Sequence, residues 1–271
     1  FNPRPYQGKW DETTPKIGIR YQPNDDLMFF ASYSEGFKSG GFFGRQANFN
    51  IDPSYEPEYL KNIELGWKST LMDGRMIFNG SIFEAKYEDK QESILIPVDL
   101  SNVATVVRNA SSLDMTGLEL ELVYQISESW DIMVNAGFMD TEYADYFADL
   151  TGDQIVTDNS GLTPRNTPDS TYGATTSYVT PLGNGELKTR LSYRFRDSVE
   201  SDASNNSLGT LDTLEDLSAT ISFSMDEYTI SIYGRNLTDE REQRWSTIDP
   251  LTARGWWNEG TSYGIEFSAS F

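Results

Sequence analysis

Apolar and polar residues alternate one by one along eleven separate segments of this 271-residue chain. In KNIELGWKSTL, Ile63, Leu65, Trp67, Ser69 and Leu71 oppose Asn62, Glu64, Gly66, Lys68 and Thr70. In GLELELVYQI, Leu118, Leu120, Leu122, Tyr124 and Ile126 oppose Glu119, Glu121 and Gln125, with Val123 as the exception. In TSYGIEFSASF, Tyr263, Ile265, Phe267, Ala269 and Phe271 oppose Gly264, Glu266, Ser268 and Ser270. Successive side chains on a strand point to opposite faces, so this period of two reads as β-structure and not as helix. The remaining segments are 15–21, 27–37, 75–90, 130–138, 171–180, 186–196, 214–225 and 228–235. In RMIFNGSIFEAKY the apolar phase slips between Ile82 and Phe83, which predicts a bulge there.

The connections alternate in length as well. Tight turns at 23–26, 72–74, 127–129, 181–185 and 226–227 alternate with loops at 38–55, 92–103, 139–169, 197–212 and 236–260. Every strand therefore has a tight end and a loose end, as in an outer-membrane barrel with short periplasmic turns and long extracellular loops. A soluble sandwich has no reason to sort its loops in this way. The expected strands, about 9 to 14 residues long, also exceed the usual length of about 5 to 6. The sequence thus predicts an all-β fold, an antiparallel transmembrane β-barrel with its apolar face toward lipid and its polar face toward a lumen. Eleven is odd, whereas a barrel made by one bacterial chain closes with an even number of strands. An open edge in lipid leaves backbone groups unpaired, so the chain is expected to be part of a larger barrel. Its start, FNPRPYQGKW, carries neither an initiator Met nor a signal segment, which agrees with that expectation.

Composition removes several function classes. A net charge of -21 argues against nucleic acid as a partner. No apolar run approaches 18 residues, which excludes a spanning helix and leaves a spanning strand of about 9 to 11 residues open. The chain lacks Cys, which is compatible with an oxidising envelope. It also lacks His, so no metal site is expected: no segment has EF-hand spacing, and Asp149, Asp153 and Asp158 read as a solvated loop. GTSYG, residues 260–264, has the form G-x-S-x-G, but Ser262 opens an alternating strand instead of a strand-to-helix elbow and no His is present to serve as base. No catalytic residue and no cofactor are expected. Asn109, Asn205 and Asn236 sit in N-x-S/T triplets, with no reason in a bacterial chain to read them as glycosylated.

Five segments in order resemble the C-terminal barrel of TonB-dependent outer-membrane receptors of the ferric-siderophore type. They are YSEGFKSGGF (33–42), YEPEYLKNIELGWKSTLMDGR (55–75), NASSLDMTGLELE (109–121), GRNLTDERE (234–242) and TSYGIEFSASF (261–271). Many relatives carry Gly-Arg before the last strand, where this chain has Glu259, Gly260 and Thr261. The resemblance implies a barrel of about 22 strands, of which residues 1–271 would be the C-terminal half, preceded by a plug domain and a TonB box that lie outside this sequence. It implies TonB-coupled uptake of a ferric siderophore across the outer membrane of a Gram-negative bacterium. Phe271 would be the terminal signal read by the barrel assembly machinery. Alternatives are a passive porin-like channel, uptake of cobalamin, haem or carbohydrate, and a barrel enzyme whose base lies elsewhere.

Two groups of candidate site residues follow. Lys188, Arg190, Arg194 and Arg196 share the polar face of LKTRLSYRFR, where they can hold the plug, guide an anionic ligand, or pair with acids such as Glu119, Glu121 and Asp216. Phe42, Phe43, Arg45, Arg108, Trp245, Arg254, Trp256 and Trp257 belong to the long-loop end, where aromatic faces and guanidinium groups suit flat anionic chelates. Trp256 and Trp257 could equally belong to an interfacial aromatic girdle.

Overall fold

The computed structural model describes residues 6–44, 52–99, 102–150, 155–249 and 252–270. Eleven strands form one antiparallel meander: β1 (Lys16–Asn24), β2 (Leu27–Lys38), β3 (Glu58–Leu71), β4 (Met76–Asp99), β5 (Asn102–Ser127), β6 (Trp130–Ala148), β7 (Ser170–Leu182), β8 (Gly185–Arg196), β9 (Leu214–Met225), β10 (Tyr228–Arg235) and β11 (Ser262–Ala269). Each strand pairs with its neighbours in sequence, and no helix occurs among the described residues. Tight reversals require left-handed backbone: Met72, Asp73 and Gly74 have φ of 54°, 57° and 86°, and Gly183 and Asp226 have 60° and 51°.

Register carries the alternation across the whole sheet. One transverse row runs Tyr21, Phe29, Trp67, Gly80, Leu120, Ala136, Tyr172 and Phe195. The row one residue away runs Met28, Lys68, Asn79, Glu121, Asn135, Gly173, Arg194 and Asp216. The polar face is concave, since Phe30, Glu64, Lys68, Asn79, Glu119, Asn135 and Thr171 surround a single hollow of about 450 Å³ reached by six adjacent strands. The apolar face lies open: Ile19 is 72% exposed and Ile265 73%. An apolar surface of this extent across eleven strands is what a spanning barrel turns toward lipid.

The structure places Phe83 on the polar face without a bulge. Register is unbroken from Met76 to Tyr87, and the Phe83 ring lies over Gly117, where a Cβ would collide with it. Phe30 covers Gly66 in the same manner. The apparent phase slip is an aromatic side chain packed over a cross-strand glycine on the concave side.

The long-loop end differs more from the expectation. Residues 92–99 and 102–103 are strand and not loop, because β4 and β5 stay paired from Ile94↔Val106 out to Asp99↔Asn102. β6 likewise runs to Ala148, ten residues beyond its predicted end at Phe138. β4 and β5 reach 24 and 26 residues, against the 9 to 14 expected. Beyond Ile82 the convex positions carry charge, with Glu84, Lys86 and Asp114 in ion pairs, so these strands leave the apolar band. The rest of β4 extends it by roughly 50 Å at about 3.3 Å per residue. The segment 236–260 is also not bare loop, since Gln243–Asp249 pairs with Thr252–Trp257 as a hairpin.

Face assignment gives a direct test on β8. Leu191 lies on the convex face opposite Ala219, and Ser192 on the concave face, where its hydroxyl accepts from Thr175 Oγ1 at 3.0 Å. In lipid refolding of the complete protein, Leu191→Arg should cost about 2 to 4 kcal/mol and Ser192→Arg about 1 kcal/mol or less. Equal penalties would reverse or abolish the assignment of faces.

Candidate functional site

Two bulges build the long-loop end. In β6, Ala144 is the extra residue between the pairs Leu113↔Tyr143 and Ser112↔Asp145, which brings Tyr143 and Tyr146, three residues apart, onto one face. Their rings stand 4.6 Å apart. In β4 the register shifts between Tyr87 and Lys90, with Asp89 at φ 54°. On this concave wall sits the buried apolar cluster of Ile94, Val106, Leu113, Tyr143, Tyr146, Ala148 and Ala203. Among the described residues the sheet lower down has no such cluster, so apolar burial is concentrated at one end.

Inside the cluster Glu92 is 0% exposed and forms ion pairs with Lys90 and with Arg165, which arrives from the β6–β7 loop. A carboxylate buried this deeply is tolerable only when paired, and removing one partner of such a pair costs about 3 to 5 kcal/mol. Burial, and then the charge of Glu92, raise both the Tyr143 and the Tyr146 hydroxyl far above the ordinary tyrosine range. Burial works to lower Arg165, but Glu92 outweighs it and holds the guanidinium firmly charged. The hydroxyls of Ser111, Thr141 and Tyr146 are buried here without a hydrogen-bond partner among the described residues.

The three long loops on this side join one another. Thr163 N–H donates to Asn205 Oδ1 at 2.6 Å, Asn205 Nδ2 donates to Thr163 O at 3.0 Å, and Asn166 N–H donates to Glu200 O at 2.9 Å, tying the β6–β7 loop to the β8–β9 loop. Ser246 Oγ donates to Leu208 O at 3.0 Å, tying the Gln243–Trp257 hairpin to the β8–β9 loop. On the other flank Asn109 Nδ2 donates to Glu56 O, Pro57 O and Asp89 O at 2.9, 3.2 and 2.7 Å. Asn236, at φ 48°, donates to Glu240 O and Glu259 O, both at 2.9 Å. All three asparagines of the N-x-S/T triplets are thus backbone staples.

The candidate aromatic and basic residues divide into two places. Phe42 pairs with Ser54 and stacks on Tyr6 at 5.2 Å, with Trp10 at 6.1 Å. Sequence reasoning missed Tyr6 and Trp10, which lie before the first alternating segment and carry no periodic signal. Phe43 N–H donates to Pro53 O at 2.9 Å. Arg108 Nη1 donates to Asp52 O at 3.0 Å and reaches Ser54 O at 3.4 Å, so its guanidinium is engaged by the loop that carries Phe42. Arg45 and Phe271 lie outside the described residues, as does Asp153. In the hairpin, Trp256 opposes Trp245 in register, Trp245 being placed by its backbone alone. Trp256 and Trp257 are 73% and 64% exposed. Being consecutive on a strand they face opposite ways, and Arg254 shares a side with Trp256. The two tryptophans therefore do not form one flat surface.

The four β8 cations all line the concave face, and of the three acids expected as their partners Asp216 alone is engaged by one of them among the described residues. Arg194 pairs with Asp216, and Arg196 Nη2 donates to Asp212 O at 2.8 Å. Glu119 and Glu121 lie on β5, three strands away, and Glu121 instead accepts from Asn79 Nδ2 at 2.8 Å. Lys188 and Arg190 make no ion pair among the described residues. Among the described residues no three metal-binding side chains converge, and Asp158 caps its own turn, accepting from Ser160 N–H at 3.0 Å. Ser262 opens β11 opposite Arg235, as an ordinary strand residue.

A family model described as TonB dependent receptor-like, beta-barrel matches residues 2–237. The chain belongs to the TonB-dependent receptor family. Members of this family are receptors and transporters in the Gram-negative outer membrane. The chain is 29% identical over 133 residues to the ferric-pyoverdine 358 receptor of Pseudomonas putida, covering 49% of this chain and 16% of that protein. It is 24% identical to the pesticin receptor of Yersinia pestis over its whole length, which is 38% of that receptor. In structure it is similar to the ferric yersiniabactin uptake receptor of Yersinia pestis, with a TM-score of 0.78 at 20% identity over 94% of this chain and 37% of that one. The chain thus spans well under half the length of these relatives. In this TonB-dependent receptor barrel, two of the resembling segments touch, because Asn109 of NASSLDMTGLELE anchors Glu56 and Pro57 of YEPEYLKNIELGW.

Asn236 offers a test of the staples. Asn236→Ala leaves two loop carbonyls without a donor and puts at positive φ a residue that tolerates the left-handed region less well than Asn, and should lower stability by about 1 to 3 kcal/mol in thermal unfolding of the detergent-solubilised receptor. No change would show that the β10–β11 connection is held by other contacts.

Proposed function

We propose that residues 1–271 form the C-terminal half of the barrel of an energy-coupled outer-membrane receptor that takes up a ferric siderophore. Membership of the TonB-dependent receptor family over residues 2–237 carries this reading. The names of its relatives support the cargo, since the proteins it resembles are receptors for ferric pyoverdine and ferric yersiniabactin. In this reading TonB acts through a plug domain encoded outside the present sequence, and the concave face meets that plug. Lys188 and Arg190 are its contact candidates, because neither spends its charge on a lumenal acid. The barrel assembly machinery reads Phe271, and outer-membrane lipid covers the convex face. The chain performs no covalent chemistry and holds no resident cofactor.

The cargo meets the long-loop end. Arg254 and Trp256, sharing one side of the projecting hairpin, form one contact, and the Phe42 ring with its Tyr6 and Trp10 neighbours forms another. A flat, anionic, iron-bearing chelate fits such aromatic and cationic surfaces.

The test begins with a deletion strain grown under iron limitation on a panel of purified ferric siderophores. Loss of growth on one of them is expected, with restoration by the complete gene. That chelate, added to the purified complete receptor, should quench tryptophan fluorescence, and Trp256→Ala should weaken binding by about 1 to 3 kcal/mol. Trp257→Ala, on the other side of the strand, should change affinity less. Unimpaired growth on every ferric siderophore, without iron-regulated expression, would overturn the cargo and leave the barrel.

A further inference from the structure

Glu92 has no part in the proposed transport chemistry, yet it is buried at 0% exposure and bound to cations from two segments. Lys90 belongs to its own strand and only steadies it. Arg165 is different, because it lies 73 residues along the chain, near the end of the β6–β7 loop. Beside that ion pair the loop is held at its β6 end, where Thr157 and Asp158 pair with Ala148 and Phe147, Asn159 Nδ2 donates to Ala148 O at 3.0 Å and Asn159 N–H to Tyr146 O at 2.7 Å, and Leu150 and Leu162 pack at the margin of the buried cluster. The β8–β9 loop inserts Ala203 into the same cluster and is bound to the β6–β7 loop by the reciprocal Thr163–Asn205 hydrogen bonds. The hairpin with Trp256 follows through Ser246. Three loops therefore hang together as one lid, hinged on the end of β6 by the Thr157–Asp158 pairing and fastened to β4 by one buried carboxylate.

We propose that Glu92, with Arg165 and Lys90, is a latch that keeps this three-loop lid closed against the concave wall, and that the lid opens as a unit when the latch breaks. A buried ion pair suits a latch better than apolar packing does. Closed, it is geometrically specific; with one partner displaced, the remaining charge is stranded and drives the segments apart toward water. The unpartnered hydroxyls of Ser111, Thr141 and Tyr146 work in the same direction, since each gains a hydrogen bond to water when the lid lifts. The position of the lid at the outer mouth rests on the orientation proposed above, but its opening can be measured without reference to transport.

Ser111 is 2% exposed beneath the lid, and Leu208, on the lid's outer surface, is 60% exposed. Single variants Ser111→Cys and Leu208→Cys in the complete receptor, with any other cysteine replaced, are purified in detergent and reacted with a hydrophilic maleimide. With the latch intact, Ser111→Cys should react at least about tenfold more slowly than Leu208→Cys, because a buried thiol is inaccessible. Adding Glu92→Gln or, separately, Arg165→Met should raise labelling of Ser111→Cys about tenfold and leave Leu208→Cys unchanged. Heat-modifiable electrophoretic mobility verifies that each barrel is folded, and two independent latch variants guard against misfolding of one. Rapid labelling of Ser111→Cys in the otherwise intact receptor would show that no closed lid exists. Protection that persists in both latch variants would show that the triad does not fasten it. Neither outcome bears on growth with ferric siderophores.

Discussion

The ladder of backbone hydrogen bonds between successive strands is the constraint on which the rest depends. In lipid an unpaired peptide group costs several kcal/mol, so each strand must be matched on both sides. Ten neighbour pairings join the eleven strands in sequence order, and any slip of one residue would turn every side chain to the opposite face. Register is kept through the band by side chains that prefer one face only. Trp67 over Gly80 on the convex side and Phe83 over Gly117 on the concave side are examples, in which the missing Cβ admits a ring from the next strand. β1 and β11 each have one partner within the described residues, and the edges they leave are those that a larger barrel of this family would close.

Once the backbone is satisfied by its neighbours and the apolar face by lipid, the sheet needs no core of its own. The core appears where lipid ends. Beyond Ile82 and Phe138 the strands continue into water, and their concave face must be covered by protein; the Tyr143–Tyr146 stack, Leu113 and Val106 do this together with the incoming loops. The bulge at Ala144 makes the change possible by placing two large aromatics on one side within three residues. Glu92 sits in the middle as the polar exception, paired with Lys90 of its own strand and with Arg165 of the β6–β7 loop.

Much of this was legible in the sequence within the apolar band and little beyond it. KNIELGWKSTL and GLELELVYQI alternate because their faces meet two different solvents, lipid and lumen, and that contrast is written directly into residue type. Past Phe138 the segment DTEYADYF loses the period of two, because the extra residue Ala144 separates Tyr143 from Tyr146 by three positions on one face, so it reads as loop although β6 continues through it. SILIPVDL and NVATVV fail for the converse reason, since runs of β-branched residues without alternation hide the paired ends of β4 and β5. Val123, the exception to the alternation of its segment, is a concave residue opposite Ile77 and Met133, in an apolar patch of the lumen wall. The Glu92–Arg165 pair, 73 residues apart, leaves no local trace at all. The segment of Trp256 and Trp257 reads as loop but is strand, and a strand separates consecutive side chains.

The lumen, the apolar band and the long-loop end all depend on which face of the sheet meets lipid. Spin labels placed singly from Leu187 to Phe195 of β8, in the complete receptor reconstituted in bilayers, report collisions with oxygen, which concentrates in lipid, and with a polar nickel chelate, which stays in water. Oxygen accessibility should peak at Leu187, Thr189, Leu191, Tyr193 and Phe195, and nickel accessibility, where the lumen admits it, at Lys188, Arg190, Ser192 and Arg194, with a period of two. The opposite phase, or nickel accessibility at every position, would contradict the lipid-facing assignment and the barrel built upon it.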